Sequence, residues 1–209
     1  MSVVENYNKI LSTIPQGVNL CAISKFHPRE AIEELYRVGH RCFGESRPQE
    51  FWGKASVLPI DIEWHFIGHL QTNKVKMVVP YASIIESVDS VRLLQAISKE
   101  AAAVGKTQRI LLQMHIAQEE HKQGFSEEEV RQILADSYPN VEIVGLMGMA
   151  TYTDDREQIA FEFQKIATLF AEYGNLSVLS IGMSGDYGIA IECGATSVRI
   201  GSAIFGSRY

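Results

Sequence analysis

The chain is poor in cysteine and has no motif that would pair the cysteines it contains. Cys21, Cys42 and Cys193 are the only three among 209 residues, and no Cys-x-x-Cys spacing occurs. This argues against a zinc knuckle and against a redox pair. Cys21 and Cys42 lie within apolar runs, so we interpret them as small core residues. An odd, scattered set of thiols is typical of a reducing cytosol.

Long apolar segments are also missing. No run approaches the ~20 residues of a membrane-spanning helix, and Glu5, Asn6 and Asn8 lie where a signal peptide needs an apolar core. Positive charge is not in excess either, because the formal net charge is -6. This argues against nucleic acid or an anionic membrane as a partner. We therefore expect a soluble cytoplasmic protein. We also expect a monomer.

A dinucleotide-binding fingerprint is absent too, because no Gly-x-Gly-x-x-Gly follows the first predicted strand. The sequence has instead a regular alternation of short apolar runs and amphipathic segments, after one amphipathic helix at the N-terminus. Eight candidate strands are each followed by a candidate helix, which predicts a parallel sheet. The predicted strands span residues 18–25, 41–44, 63–68, 83–88, 109–116, 141–147, 176–181 and 197–200.

Eight successive strand–helix units favour an α/β fold closed into a (β/α)8 TIM barrel, for which ~200 residues is the lower size limit. An open, doubly wound sheet is the alternative. No linker or change in composition divides the chain, so we predict one domain over residues 1–209. Ser126 with Glu129 predicts a helix start, since each side chain can bond the other's backbone N–H. A further helix is predicted over residues 73–79.

The first predicted strand stops at a lysine. Residues 18–25 are mostly apolar, and Pro28, which suits the first turn of a helix, follows shortly. Lys25 is therefore expected at the carboxyl end of a parallel strand, where α/β folds carry their chemistry. Two interpretations stay open here: a lysine whose head group reaches water, or an amine in apolar surroundings that forms a Schiff base with a carbonyl.

Two glycine-rich turns follow the last two predicted strands, at residues 182–186 and 201–203. Glycines allow backbone N–H groups to converge on an anion, and TIM barrels frequently bind phosphate in the loops after strands seven and eight. The alternative is that the glycines only end the strands.

Arg199 lies two residues before Gly201, so period-two alternation directs its side chain towards the barrel mouth. There it can also pair with a strand carboxylate such as Glu86. A phosphate pocket, a candidate Schiff-base lysine and an inward arginine together indicate a phosphorylated aldehyde. Pyridoxal 5′-phosphate (PLP) is the common cofactor of that description.

The sequence also resembles a known family over nearly its whole length. The matching segments are Ala22-Ile23-Ser24-Lys25, Phe43-Gly44-Glu45, the block from Glu63 to Lys74 (Glu-Trp-His-Phe-Ile-Gly-His-Leu-Gln-Thr-Asn-Lys), Gly145-Leu146-Met147, Ser180 to Asp186 and Val198 to Gly206. On these motifs the chain is similar to the pyridoxal phosphate homeostasis proteins, also called the YggS or proline synthase co-transcribed family.

The resemblance implies a barrel like the N-terminal domain of alanine racemase. It implies a PLP-binding protein that stores, buffers or delivers the cofactor without catalytic turnover, with PLP-dependent enzymes as candidate clients. An arginine facing the pyridine nitrogen would keep that nitrogen unprotonated and make the ring a weaker electron sink than an aspartate would. The residues that the resemblance assigns to the cofactor are Lys25 (Schiff base), Met183 and Ser184 (phosphate), Arg199 (ring nitrogen), and Gly201 and Ser202 (phosphate).

Two enzymatic alternatives remain. A racemase of the alanine racemase type needs a second acid–base group, which in that enzyme comes from a second domain. This chain ends eight residues after Gly201, so we expect no such domain, and Tyr152 is the candidate within the chain. The other alternative is an aldolase that uses Lys25 directly on a sugar phosphate.

Some residues depart from the family pattern or have an open role. Ser46 stands where family members often have asparagine, and His27 lies in a region where many carry a second lysine. Lys122 either guides a second phosphate or is a solvated loop lysine.

His65 and His69 have a spacing that binds metal only on a helix, so we expect them to be structural or to line a pocket, and we predict no metal site.

Overall fold

The computed structural model describes residues 2–119 and 123–206, so Lys122 lies outside the described residues. Eight strands in these residues are parallel and follow one another in chain order around a closed barrel, in which the last strand pairs with the first. The predicted (β/α)8 barrel is confirmed and the open sheet is excluded. The strands are β1 (Asn19–Ile23), β2 (Cys42–Glu45), β3 (Glu63–Phe66), β4 (Ile84–Val88), β5 (Gln108–Met114), β6 (Val141–Gly148), β7 (Val178–Ser180) and β8 (Ser197–Ile200).

Helices alternate with the strands and surround them. The helices of the described residues are α1 (Val3–Leu11), α2 (Arg29–Arg37), α3 (Pro48–Ala55), α4 (Val75–Val78), α5 (Val91–Ala103), α6 (Glu127–Ala135), α7 (Arg156–Ala171), α8 (Tyr187–Glu192) and α9 (Ser202–Phe205). The predicted capping box of Ser126 and Glu129 is present at the start of α6. None of these helices combines the length and the apolar character that crossing a membrane requires.

The extra N-terminal helix α1 is confirmed, and it packs beside the end of the barrel sequence. Its start has a capping box in which Ser2 and Glu5 satisfy each other's backbone N–H groups. The side chain of Asn6 donates a hydrogen bond to the carbonyl of Ile204 in α9, at 3.0 Å. The helix therefore joins the first and last elements of the described chain.

The apolar residues form two separate layers because successive strand side chains point to opposite faces. The larger layer lies between the barrel and the helices and contains outward-facing residues such as Ile85 and Ile110. Inside the barrel, a small cluster of Ile84, Leu111, Val144 and Met147 fills one side. A second inner cluster, lying against β1 and β2, consists of Cys21, Ile23 and Cys42. The interior of the barrel is therefore a packed core, with polar groups described below.

Two predicted elements differ from the structure in their bounds. The strand predicted over residues 18–25 ends at Ile23, because the carbonyl of Ser24 accepts a hydrogen bond from the side chain of Lys54 and Phe26 adopts a left-handed φ of 68°. The helix predicted over residues 73–79 is a 3-10 turn, Thr72–Lys74, followed by the single turn of α4. Pro80 follows closely and has no backbone N–H with which to continue a helix.

Candidate functional site

Lys25 lies two residues beyond β1, at the rim formed by the carboxyl ends of the strands, and is half-buried. The next residue, Phe26, has a left-handed backbone conformation with φ 68°, which turns the chain sharply towards α2. The ring of His27 then stacks on Phe205 of α9, with centroids 5.0 Å apart and planes at 25°. The loop that carries Lys25 therefore rests on the helix that follows β8. His27, where the family pattern differs, packs against an aromatic ring here.

A buried ion pair fixes the backbone just before Lys25. Ser24 donates its hydroxyl to Oε1 of Glu45 at 2.7 Å, and Lys54 donates from Nζ to the Ser24 carbonyl at 2.9 Å and to Glu45 at 2.7 Å. Lys54 also reaches Glu50 at 2.8 Å. Burial raises the pKa of Glu45, although Lys54 and Ser24 pull it the other way. Glu45 belongs to one of the family motifs, but this network could not be found from the sequence, because Lys54 lies on α3 whereas Glu45 lies on β2 and Ser24 follows β1.

The two glycine-rich turns meet at the same rim. The backbone N–H of Gly201 donates to the hydroxyl of Ser184, at 3.3 Å. Gly201 is also packed closely on the neighbouring strand, since a Cβ atom there would lie 3.2 Å from the carbonyl oxygen of Ile23. Within the described residues, the backbone N–H groups of Ser184 and Ser202 have no acceptor. The turns thus present a set of hydrogen-bond donors, which is what binding a phosphate requires.

Met183 differs from the other predicted phosphate-binding residues. Its backbone N–H donates to the carboxylate of Asp186 at 2.5 Å, and the residue is 38% exposed. Asp186 in this way closes the turn between β7 and α8. The part that Met183 plays in binding phosphate stays a prediction.

Arg199 points into the barrel and is 3% exposed. One terminal amino group donates to the carbonyl and the hydroxyl of Ser180, at 2.7 and 2.6 Å, and the other donates to the carbonyl of Gly148 at 2.9 Å. The guanidinium also lies 3.6 Å from the carboxylate of Glu86, the strand carboxylate considered in the sequence analysis. Four strands therefore meet around this one side chain, and its Nε–H has no acceptor among the described residues.

Glu86 connects Arg199 to a histidine on the other side of the barrel. It accepts hydrogen bonds from the hydroxyl of Ser180 at 2.6 Å and from Nδ1 of His65 at 2.6 Å. Burial by itself raises the pKa of Glu86, but the contacts with His65 and Arg199 outweigh it and hold the pKa below its ordinary value. The carboxylate is therefore ionised and fully paired. His65 is buried inside the barrel.

Other residues singled out from the sequence lie elsewhere on the rim. His69 contacts Asp89 at 3.1 Å and lines a cavity of about 470 Å³. Ser46 lines a neighbouring cavity of about 350 Å³ together with Arg47. Tyr152, the candidate second acid–base residue, is 98% exposed. The structure thus brings Lys25, Ser184, Arg199, Gly201 and Ser202 to one end of the barrel, and it leaves Tyr152 facing solvent.

Comparison with known proteins agrees with this arrangement. The family model of the alanine racemase N-terminal domain matches residues 2–209. A pyridoxal phosphate homeostasis protein of Vibrio alginolyticus is 39% identical over 205 residues, which cover 93% of this chain and 88% of that protein. Among solved structures, PipY of Synechococcus elongatus with PLP bound has a TM-score of 0.90 and 33% identity, over 98% of this chain and 100% of its own.

A more distant likeness concerns the fold alone. An alanine racemase of Clostridium difficile 630 has a TM-score of 0.82 at 13% identity, and the match covers 99% of this chain but 57% of the racemase. The barrel is therefore shared with that enzyme, whereas the close relatives are homeostasis proteins. By its family model and its relatives, the chain belongs to the pyridoxal phosphate homeostasis protein family, which has the fold of the alanine racemase N-terminal domain.

Proposed function

We propose that the protein binds PLP as a Schiff base on Lys25 and takes part in intracellular PLP homeostasis, by storing, buffering or delivering the cofactor. The name of the close relatives and the PLP in the PipY structure support this proposal. PLP supplies an aldehyde that condenses reversibly with an amine and releases one water, so one chemical step both stores and returns the cofactor.

The observation that carries the proposal is the contact between Ser184 and Gly201. It brings the turns after β7 and β8 together beside the strand that leads to Lys25. A phosphate accepts several hydrogen bonds at once, and the N–H groups of Ser184 and Ser202 lack other acceptors among the described residues. The donor set therefore fits the phosphate end of PLP, with the amine of Lys25 on the same rim.

Arg199 fits the ring end of the cofactor. Its terminal amino groups are held by Ser180 and Gly148, so the guanidinium cannot swing without breaking buried hydrogen bonds. Its Nε–H remains as a donor without an acceptor in the described part of the chain, and an unprotonated pyridine nitrogen is an acceptor. A fixed cation at this place disfavours protonation of that nitrogen and weakens the ring as an electron sink.

We propose no catalytic residue, and therefore no enzyme activity. Arg199 opposes protonation of the PLP ring and so makes it a weaker electron sink for a substrate carbon. A two-base racemase also needs an acid–base group on the far side of the cofactor, and the candidate Tyr152 is 98% exposed. Lys25, the phosphate turns and Arg199 bind and orient the cofactor, which is sufficient for a carrier. We also propose that the protein is a cytoplasmic monomer and that it delivers PLP to PLP-dependent client enzymes.

A visible spectrum before and after borohydride reduction tests the covalent link. The wild type incubated with PLP is expected to be coloured, to lose that colour on reduction, and to carry the reduced adduct on the peptide that contains Lys25. Lys25→Ala should remain unmodified, whereas Lys9→Ala, which removes an exposed lysine of α1, should behave as the wild type. A colourless wild type, or an adduct on another lysine, would overturn the proposal.

Turnover separates the carrier from the two enzymes. PLP-loaded protein incubated with L-alanine in heavy water should incorporate no deuterium at Cα and form no D-alanine. Steady racemisation would establish the alanine racemase type of activity instead. If PLP-free protein cleaves a sugar phosphate and Lys25→Ala does not, the protein is an aldolase.

A further inference from the structure

Three side chains inside the barrel come together in a way that the sequence does not indicate. The thiol sulfurs of Cys21 and Cys42 and a ring nitrogen of His65 all lie within 4.8 Å of one another, and all three residues are buried. Pairing of Ala22 with Phe43 sets β1 and β2 in register, so the two cysteines occupy adjacent positions on the inner face. Cysteines that are far apart in the sequence are therefore brought together by the pairing of β1 with β2.

The groups around this cluster are arranged like the outer shell of a metal site. Nδ1 of His65 is bonded to Glu86 at 2.6 Å, which leaves Nε2 as the nitrogen that can act as a ligand. A carboxylate behind a histidine in this way fixes the ring orientation and raises its basicity as a ligand. On the other side, the side-chain amide of Asn19 donates to the sulfur of Cys42 at 3.3 Å, and such a hydrogen bond stabilises a thiolate.

We propose that Cys21, Cys42 and His65 bind a thiophilic d10 metal ion, with zinc(II) as the ion of choice. Two thiolates and one imidazole are ligands that zinc takes in proteins. Binding releases two protons from the three ligands to solvent, and the two thiolates then neutralise the charge of the ion. The site is consequently electrically neutral within a buried interior, where an isolated charge is costly.

A buried hydroxyl on the neighbouring strand β8 is a candidate partner for a fourth ligand. Ser197 pairs with Asn19 across β8 and β1 and has the same inward orientation as Arg199, two residues further along. Its hydroxyl oxygen is buried and has no hydrogen-bond partner among the described residues. Such a hydroxyl can hold a metal-bound water, which would complete tetrahedral coordination.

The proposed metal and the cofactor would occupy different levels of the barrel. Cys21 lies within β1, two residues before that strand ends at Ile23, and its Cα pairs with that of Arg199. The metal site therefore lies inside the barrel at the level of Arg199, whereas Lys25 lies two residues beyond the strand, at the rim. The role that this position favours is structural: the ion would join β1, β2 and β3 beneath the cofactor.

Metal analysis of tag-free wild-type protein tests the site. We expect about one zinc per chain after reconstitution and dialysis, as a structural site requires. Cobalt(II) in place of zinc should give sulfur-to-metal charge-transfer bands and red-shifted d–d bands outside the PLP absorption. Cys21→Ala and Cys42→Ala should each lower the bound metal at least about tenfold, since each removes a ligand. Cys193→Ala removes the half-buried cysteine after α8 and should bind metal as the wild type does.

A second measurement does not depend on the variants folding. In the wild type, zinc should protect Cys21 and Cys42 from alkylation during partial unfolding, and Cys193 should be alkylated at the same rate with and without the metal. One equivalent of copper(I) bound through the same two cysteines would equally support the site. Zinc at less than a tenth of an equivalent, unchanged zinc in the two alanine variants, or a Cys21–Cys42 disulfide in the purified protein would overturn the proposal.

Discussion

The hydroxyl of Ser184 accepts a hydrogen bond from the backbone N–H of Gly201, at 3.3 Å. These two residues belong to loops that follow different strands, β7 and β8, and their contact is the point where the two loops meet. The bond is long for its type and joins two neutral groups. A phosphate would replace it with charge-assisted bonds, which are shorter and about twice as strong. A bound anion can therefore replace this hydrogen bond at a small cost in free energy.

The first prediction concerns the close packing of Gly201. In Gly201→Ala, the added Cβ would lie 3.2 Å from the Ile23 carbonyl oxygen and 3.3 Å from the Ile23 Cβ, so the turn must move away from β1. Overpacking of this kind costs about 1–3 kcal/mol. We expect PLP affinity, measured by absorbance titration, to fall about five- to a hundredfold.

The matched control for this change is Gly188→Ala. A Cβ on Gly188, in α8, meets no atom within 4 Å, so this variant should bind PLP as the wild type does. Equal affinity of Gly201→Ala and the wild type would show that the turn after β8 does not contact the phosphate.

The fold could be predicted from the sequence because each barrel strand carries its own local signal. The strand predicted over residues 197–200 and the capping box at Ser126 agree with the structure to the residue. Such signals depend on neighbours in the sequence, that is, on apolar runs, caps and glycines. The predicted end of a strand was less accurate where a side chain distant in the sequence bonds to its backbone, as Lys54 does to the Ser24 carbonyl just after β1.

The inner network could not be predicted because it depends on contacts between strands. Glu86 and Ser180 are separated by 94 positions, and Ser180 and Arg199 by 19. Cys21 and Cys42 were correctly expected in the core, but their approach to His65 appears only when β1, β2 and β3 are laid side by side. Only the direction of Arg199, from the alternation of side chains along β8, and its proximity to the strand carboxylate Glu86 could be anticipated.

A second prediction addresses the buried guanidinium. Arg199→Met removes three hydrogen bonds and leaves Glu86 without a cation 3.6 Å away. Glu86 keeps its hydrogen bonds with His65 and Ser180, but the buried carbonyls of Ser180 and Gly148 lose their donor. An unsatisfied buried acceptor costs about 1–3 kcal/mol, so we expect the free energy of unfolding in urea to fall by about 2–6 kcal/mol. Arg29→Met, which removes an exposed ion pair with Glu30, should change it by about 1 kcal/mol or less. Similar losses in both variants would contradict the network described for Arg199.

A third prediction concerns the loop that carries Lys25. Lys54→Met abolishes the bonds from Nζ to the Ser24 carbonyl and to Glu45, so the backbone before Lys25 loses its anchor. We expect faster amide hydrogen exchange at residues 25–27 and slower adduct formation with PLP. Lys76→Met, at an exposed position on α4, serves as the control. If exchange at residues 25–27 is unchanged in Lys54→Met, the ion pair does not hold the loop.

A fourth prediction uses the raised pKa of Glu45. Burial raises this pKa above the ordinary value of 4.5, and Oε2 has no hydrogen-bond partner in the described part of the chain. Folding therefore favours the protonated carboxyl. Its contribution to stability is fully present below pH 4.5 and is lost as the pH rises through the folded-state pKa. Glu45→Gln cannot ionise, so its free energy of unfolding should improve relative to that of the wild type between about pH 4 and about pH 8.

Glu30 provides a control of opposite sign for this pH dependence. It is exposed, and hydrogen bonds from its own backbone N–H and from Arg29 lower its pKa. Glu30→Gln should therefore lose a little stability relative to the wild type as the pH rises through the carboxyl range. Urea unfolding of the wild type, Glu45→Gln and Glu30→Gln at each pH gives the difference in free energy of unfolding between each variant and the wild type. If the difference between Glu45→Gln and the wild type stays constant with pH, or shifts in favour of the wild type, then Lys54 compensates the buried carboxylate fully and burial does not control its ionisation.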